Sequence, residues 1–415
     1  MLDKIKNLND EGFEEWYPKI IRDVNFKYSL NKRRMYKTKV KRAVYNAINK
    51  HTSELPEDRV KRFAEDFHML RRVFFGPKYN GLIYRDKRAK YKFRPKEGEK
   101  FPEIRNIVEL ALYLGTNVNT ILGYVYTQYP SKSGSYEKNE KEYNSPHYNR
   151  HFIKKPDGRK RLISEPKYKL KQMQKLILHD MLEKVLLEDC VTGFVPGKSV
   201  LDNARPHLTC NTLVKIDLRN FFPSLKLEYV LEVFRGMGYC KPVAGALACI
   251  CTDLYRLQRA AAQGAPTSPM IGNLYAEHLD RRLKGLWEKH GFTYTRYADD
   301  LAFSSEEEDV RVGNLISATY EIIKDEGLYP NLSKTKVLRK GNRKVVTGIV
   351  VNEKLNLKRE WIRTLRAEIH NYQQTGIPDG PEGIEARQQL EGKLAYLKMI
   401  RPEKAEKYML EYEKI

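Results

Sequence analysis

The chain has 415 residues, 41% of them hydrophobic, so it can bury a large core; wholesale disorder is excluded, and the length suggests two or three domains. Lys and Arg outnumber Asp and Glu by 76 to 53, a net charge of +23, which suits a polyanionic partner and makes nucleic acid the first to test. No run of about 18 apolar residues appears, and the opening MLDKIKNLNDEGFEE lacks the apolar stretch of a secretory signal, so no membrane role and a cytoplasmic location are expected.

In chain order, the first hundred residues read as a helical extension. Phe13, Trp16, Tyr17, Ile20 and Ile21 recur at the spacing of one helix face, as do Val40, Ala43, Val44, Ala47 and Ile48, and then Val60, Phe63, Phe67 and Leu70. The extension ends in YRDKRAKYKFRPKEGEK, where basic and aromatic residues interleave. Such a stretch either pairs phosphates and stacks bases or is a solvated linker. A helix is expected from Ile104 to Leu114, and Gly115 followed by TNVNTILGYV reads as ordinary helix packing or as a helix-turn-helix that meets nucleic acid. Residues 131–150 contain no Val, Ile, Leu, Met or Phe and read as a mobile loop.

Beyond that loop the pattern becomes mixed. HFIKKPDGRKRLIS is a strand and turn, followed by a helix with Met173, Leu176, Ile177, Met181 and Val185 inward. TLVKID and YTRY are strands, and KVVTGIVVNEKLNL is a hairpin turning at Asn352 and Glu353. From Arg359 the chain is helical, broken where Gly and Pro cluster in TGIPDGPEG. The five cysteines are odd in number and never spaced as C-x-x-C, so they read as small buried hydrophobes rather than disulfides or zinc ligands.

Two strands end in acid. Leu213–Ile216 runs into Asp217, and a second strand ends at Tyr297, Ala298, Asp299 and Asp300 before continuing as LAFSS. A rigid strand end and a tight turn can bring three carboxylates to one point, where they repel unless cations bind. Two Mg²⁺ ions, about 3.5–4 Å apart, would satisfy them and clamp the attacking and leaving oxygens of a phosphoryl transfer. Either segment alone is equally a cap or a turn. Between them lies QGAPTSPMIGNLYAEHLD, whose Gln263, Gly264 and Pro266 form a loop opening into a helix, a place where backbone can approach a nucleotide.

From about Phe152 onward the chain resembles the reverse transcriptase family. DLRNFFPSL resembles motif A, QGAPTSP motif B, YADD motif C, NLSKTK motif D, and KVVTGIVV the primer-gripping hairpin, all in the family's order. The resemblance implies an α+β right-hand polymerase: a helical extension over 1–100, fingers and palm over 101–345, and the hairpin with a helical thumb over 346–415. It also implies an RNA-directed DNA polymerase using two Mg²⁺ ions, with Mn²⁺ as a substitute. Asp217, Asp299 and Asp300 would bind the metals with help from the Leu218 carbonyl. Phe222 would be the steric gate against a ribose 2′-OH, or else a core aromatic. Lys154 and Arg161 match residues that hold the incoming triphosphate, or else form a charged solvated hairpin. Gln263 and Gly264 would lie beside the nucleotide. Lys334, in a stretch crowded with lysines, matches the lysine that protonates departing pyrophosphate.

Two further signatures resemble the bacterial retron reverse transcriptases: N-A-x-x-H at Asn203–His207, and V-T-G at Val346, Thr347 and Gly348. A second V-T-G at Val191–Gly193 has no matching place and reads as coincidence. The resemblance implies that Asn203, His207 and the V-T-G hairpin read a cognate structured noncoding RNA, with a structural cap and a hydrogen-bonded histidine as the plain alternative. It further implies priming from the 2′-OH of an internal guanosine, a branched RNA–DNA product, deoxynucleoside triphosphates as substrates, and an effector protein of the same operon acting against phage. Trp361, Ile362, Leu365 and Ile369 form an apolar stripe, beside which Arg363 and Arg366, with Lys358 and Arg359, can follow an RNA helix. The first hundred residues would bind the effector, extend the RNA grip or brace the fingers. The competing readings are a group II intron-like or abortive-infection enzyme with different priming, and a non-catalytic RNA-binding scaffold, which the intact acidic triad disfavours.

Overall fold

The computed structural model describes residues 91–126, 147–154, 158, 160–255 and 258–415. The amphipathic stripes expected between residues 13 and 70, the loop core of 131–146, and Pro156 and Asp157 of the hairpin turn lie outside the described residues. Strands in chain order are β1 (Tyr148–Lys154), β2 (Lys160–Pro166), β3 (Thr212–Asp217), β4 (Thr252–Tyr255), β5 (Gln258–Ala261), β6 (Thr293–Tyr297), β7 (Asp300–Ser305), β8 (Lys336–Leu338), β9 (Val345–Val346) and β10 (Ile349–Val350). They divide between two compact units, one holding residues up to Leu186 together with Phe222–Tyr275, the other Leu187–Phe221 with Ala276–Ile415.

In the first unit, Asn106 caps the helix Ile107–Tyr113 by accepting from the Val108 and Glu109 amides. Gly115, at φ 61, ends the turn after it, and the helix Val118–Tyr126 follows. Val118, Ile121, Leu122 and Val125 are buried, and both helices pack on Lys241–Ile250, a helix buried from Val243 to Ile250. A helix apolar all round belongs at the centre of a core. The Gly115 region is therefore ordinary helix packing. In the described part of the basic–aromatic stretch the two aromatics pack on the protein while Lys92, Arg94 and residues 97–100 are exposed. Tyr91 is buried and stacks on Phe93, and a Cβ on Gly236 would come within 2.8–3.0 Å of these two side chains. The Phe93 amide donates to the Gly236 carbonyl, the Lys96 amide to the Lys184 carbonyl and the Leu186 amide to the Arg94 carbonyl.

β1 and β2 pair antiparallel, Tyr148 opposite Pro166 through Lys154 opposite Lys160. The helix Tyr168–Ile177 runs on into a wider turn, Leu178–Leu182, keeping Met173, Ile177, Met181 and Val185 buried as expected. Arg150 on β1 grips Asp253 on β4 through two bonds of 2.9 and 2.7 Å.

The second unit is built on a four-stranded antiparallel sheet in the order β6-β7-β3-β8. Alternation assigns the faces. Val214 and Ile216 lie opposite Phe303 and Leu301, and on that side Phe303 is stacked between Trp287 and Tyr294, with centroids 4.2 and 4.8 Å away. Leu213 and Ala302 join a second cluster with Val346, Ile349, Leu365, Ile369, Leu390, Leu394, Leu397 and Ile400. The hairpin and the helices Arg359–Thr375, Pro381–Ile400 and Pro402–Tyr412 thus share a core with the sheet. The five cysteines are free and four are buried.

The hairpin departs from expectation. β9 and β10 pair Val346 with Ile349, so the tight turn is Thr347-Gly348, not Asn352-Glu353. Both turn residues have positive φ, 45° and 86°, the two-residue geometry whose twist matches that of the flanking strands. Asn352 and Glu353 belong to a second, wider reversal closed by Val350 opposite Asn356.

Candidate active site

Three acidic residues meet at one end of the four-stranded sheet. Leu213, Val214 and Ile216 are fully buried and hold β3 rigid, so Asp217 projects from a fixed strand end. Its register partner across to β7 is Asp300, and paired residues share a face. Ala298, at φ 57, makes the left-handed link between β6 and β7, leaving Asp299 at the tip. The Leu218 amide donates to the Asp299 carbonyl at 2.8 Å and the Asn331 amide to the Asp217 carbonyl at 2.7 Å. These bonds draw the Leu218 main chain against the acidic turn.

Burial first, and then the Asp217 charge, push the Asp299 carboxyl above the usual carboxylate range. Polar and cationic groups answer the crowded acid. Lys334 Nζ lies 3.0 Å from Asp217 Oδ2, Asn331 Nδ2 donates to Asp217 Oδ1 at 2.8 Å, and Lys215 Nζ lies 3.3 Å from Asp300 Oδ2. Lys334 is 56% exposed, so its pair is worth at most about 1 kcal/mol and a stronger cation can displace it. Three hard oxygen donors on rigid strand ends suit Mg²⁺. Among the described residues no three acidic, His or Cys side chains converge closely enough to hold an ion as they stand; Lys334 and Lys215 pair with Asp217 and Asp300.

The reverse transcriptase (RNA-dependent DNA polymerase) family matches residues 153–380, more than half of the chain. The chain belongs to the reverse transcriptase family. Its relatives include the retron Mx65 reverse transcriptase of Myxococcus xanthus, 39% identical over 280 residues that span 63% of each chain. The retron Mx162 reverse transcriptase of the same organism is 37% identical, over 63% of this chain and 60% of its own. The retron Ec86 reverse transcriptase of Escherichia coli is 36% identical, over 52% of this chain and 67% of its own. Similarity thus spans under two thirds of the first two relatives' length. These matches support the retron branch and, with it, the expected α+β right-hand polymerase fold class.

Beneath the acidic turn of this reverse transcriptase lies a support that its sequence does not announce. Arg296, fully buried, donates to both Asp280 oxygens at 2.7 Å and to the Ala298 carbonyl at 3.2 Å. Tyr294 Oη donates to the same carboxylate at 2.7 Å. Gly193 lies against the turn so closely that a Cβ would sit 2.7 Å from the Ala298 nitrogen. The V-T-G at Val191–Gly193 is therefore not incidental. Its glycine is required by the close approach to the acidic turn.

The N-A-x-x-H residues face inward. Asn203 is 1% exposed and His207 0%. The His207 ring is hydrogen-bonded to Ser304 Oγ at 2.6 Å and Thr295 Oγ1 at 2.7 Å, on β7 and β6, and burial lowers its pKa to about 4. Asn203 bonds Thr192 and Thr347 rather than capping a helix, whose cap is Ser199, and the His207 ring nitrogens are both engaged by protein hydroxyls. Within V-T-G, Val346 is buried, Thr347 half-buried and Gly348 exposed, so only the Gly348 end is open to a ligand. Leu365 and Ile369 face the core while Arg363 and Arg366 are exposed.

Lys154, Arg161, Phe222, Gln263 and Gly264 lie in the first unit. Lys154 and Arg161 are exposed on β1 and β2. The Ser164 amide donates to the Gln263 carbonyl at 2.7 Å, and Gly264, at φ 111, packs so that a Cβ would fall 3.0 Å from Ile163. β5 continues the connection, the Ala261 amide donating to the Leu225 carbonyl and the Leu225 amide to that of Phe222. One hydrogen-bonded path thus links the hairpin, the motif B loop and the half-buried Phe222.

Proposed function

We propose that the protein is the RNA-directed DNA polymerase of a retron, working in the cytoplasm. It copies part of a cognate structured noncoding RNA into branched single-stranded DNA, primed from the 2′-OH of an internal guanosine, in a defence system against phage. The observation that carries the reading is the pairing of Asp217 with Asp300, with Asp299 at the adjacent turn and Lys334 within 3.0 Å of Asp217. Asp217, Asp299, Asp300 and the Leu218 carbonyl would hold two Mg²⁺ ions, which Mn²⁺ can replace; such ions polarise the phosphate and stabilise the charge on the entering and leaving oxygens.

The chain's own residues orient and move protons. Lys154 and Arg161 meet the triphosphate of the incoming deoxynucleotide, and Gln263 and Gly264 present main chain beside its sugar. Phe222 excludes a 2′-OH. The primer hydroxyl gives up its proton to solvent as its oxygen attacks the α-phosphorus, the bond to pyrophosphate breaks, and Lys334 Nζ gives a proton to the leaving oxygen. Residues 101–345 act as fingers and palm, and 346–415 as primer-gripping hairpin and thumb, whose Arg363 and Arg366 follow the RNA by phosphate contacts. Residues 1–100 extend the RNA grip or receive the effector protein of the same operon.

Nucleic acid copurifying with the protein, treated with RNase and then a 2′,5′-debranching enzyme, tests this reading. DNA joined to RNA and released only by debranching is expected. Bound RNA without attached DNA, in a protein that extends only annealed primers, overturns the retron priming and leaves the polymerase reading standing.

A further inference from the structure

We infer that Asn203 is a positioning residue that couples the V-T-G turn to the catalytic turn through one chain of hydrogen bonds, half-buried at Thr347 and buried from Asn203 onward; this rests on reading Asp217, Asp299 and Asp300 as the polymerase site. The chain starts at a strained residue. Thr347 is β-branched and held at φ 45, a conformation that persists only where its surroundings enforce it. Its hydroxyl donates to the Val200 carbonyl at 3.2 Å and accepts from Asn203 Nδ2 at 3.5 Å, the longest link. Asn203 Oδ1 in turn accepts from Thr192 Oγ1 at 2.8 Å. The Thr192 amide donates to the Arg296 carbonyl at 3.0 Å. The Arg296 guanidinium then reaches the Ala298 carbonyl, one residue before Asp299.

The residues around this path reinforce it. Gly193, next to Thr192, touches the Ala298 and Tyr297 main chain, and His207, four residues after Asn203, ties β6 to β7 on either side of the same turn. Ala298 and Thr347 are thus two left-handed residues at the two ends of one network. A hairpin seated on primer or RNA holds Thr347 in place, and through Asn203 and Thr192 it holds the loop that carries Asp299 and Asp300. The two signatures N-A-x-x-H and V-T-G act together in this chain because their side chains touch.

The test uses the full chain extending a DNA primer annealed to an RNA template, with deoxynucleotides and Mg²⁺. Thr347→Val and Thr192→Val each remove one hydroxyl from the path; Thr347→Ser and Thr192→Ser keep it. Each valine variant is expected to lower kcat about tenfold, the effect of losing one hydrogen bond, with KM for the deoxynucleotide within about twofold, and each serine variant to restore the rate. The double valine variant should be no slower than the slower single one, because both break the same path. Melting temperatures measured alongside separate a slow enzyme from an unfolded one. A full rate in either valine variant, or multiplied losses in the double variant, overturns the coupling. A raised KM for the primer–template with kcat intact overturns it in favour of a direct ligand contact. Asp299→Asn is run in parallel: continued synthesis there defeats the reading of the site itself, whereas a dead Asp299→Asn enzyme with full-rate valine variants defeats the coupling alone.

Discussion

Two groups of motif residues in the second unit are held in opposite ways. Asp217, Asp299 and Asp300 stand at a sheet end, crowded by like charge and restrained by a half-exposed Lys334, which a stronger cation can displace, and by a mostly buried Lys215. Asn203 and His207, equally polar, are buried with each side-chain end bonded to protein. The first group holds its like charges together only through partners at its edge. The second has its polar atoms bonded within the protein. A motif of polar residues thus says that polarity is used, and burial decides whether a ligand or the protein uses it.

The contrast can be broken most strongly at the aspartates. Asp299→Asn should cut primer extension by about a thousandfold or more while RNA retention on a filter is unchanged, because it removes a metal ligand and no basic surface. Synthesis near the wild-type rate would remove these residues from catalysis. Under the turn, Asp280→Ala should lower stability by about 3–5 kcal/mol in denaturant unfolding, since it strands a buried guanidinium.

A third test uses pH. Burial, with Lys215 adding to it, depresses the His207 pKa to about 4, so the folded protein prefers the neutral ring. The stabilisation is complete above the ordinary histidine pKa of about 6.5 and is lost as pH falls from there through about 4, at most about 3 kcal/mol in all. His207→Gln should flatten that part of the pH–stability curve; an unchanged slope would show that another group carries it. The smallest effect on the fold is expected on the thumb. Arg363→Ala and Arg366→Ala should each change stability by less than about 0.5 kcal/mol. Each should also weaken RNA binding and reduce its salt slope by about one.

Much of this was readable along the chain. β3 ends at the expected Asp217 because an apolar run followed by Asp is a local pattern, β6 stops at Tyr297 just before the expected acidic turn, and the Leu365/Ile369 stripe faces the core because helical spacing dictates it. The hairpin turn was misplaced because Thr347 is a poor local choice for a left-handed residue, and it is tolerated where Val200 and Asn203, distant in sequence, bond its hydroxyl. Tyr91 and Phe93 looked like base-stacking residues, but they stack on each other and pack against Gly236, Tyr91 buried and Phe93 half-buried. Arg296 gave no sign of burial, since a charged residue on a strand is ordinarily solvated and only the Asp280 partner makes its burial tolerable.

Residue type and order therefore determined the family, the acidic triad and the strands that carry it, because the carboxylates and the alternation around them are local. Tertiary structure alone decided which polar motif residues face a ligand and which face inward, where the hairpin turns, and what supports the catalytic turn. Those outcomes depend on hydrogen bonds and close approaches between residues about 90 to 150 positions apart, such as Thr192 with Arg296 and Asn203 with Thr347, and burial is set by such partners rather than by any single stretch of chain.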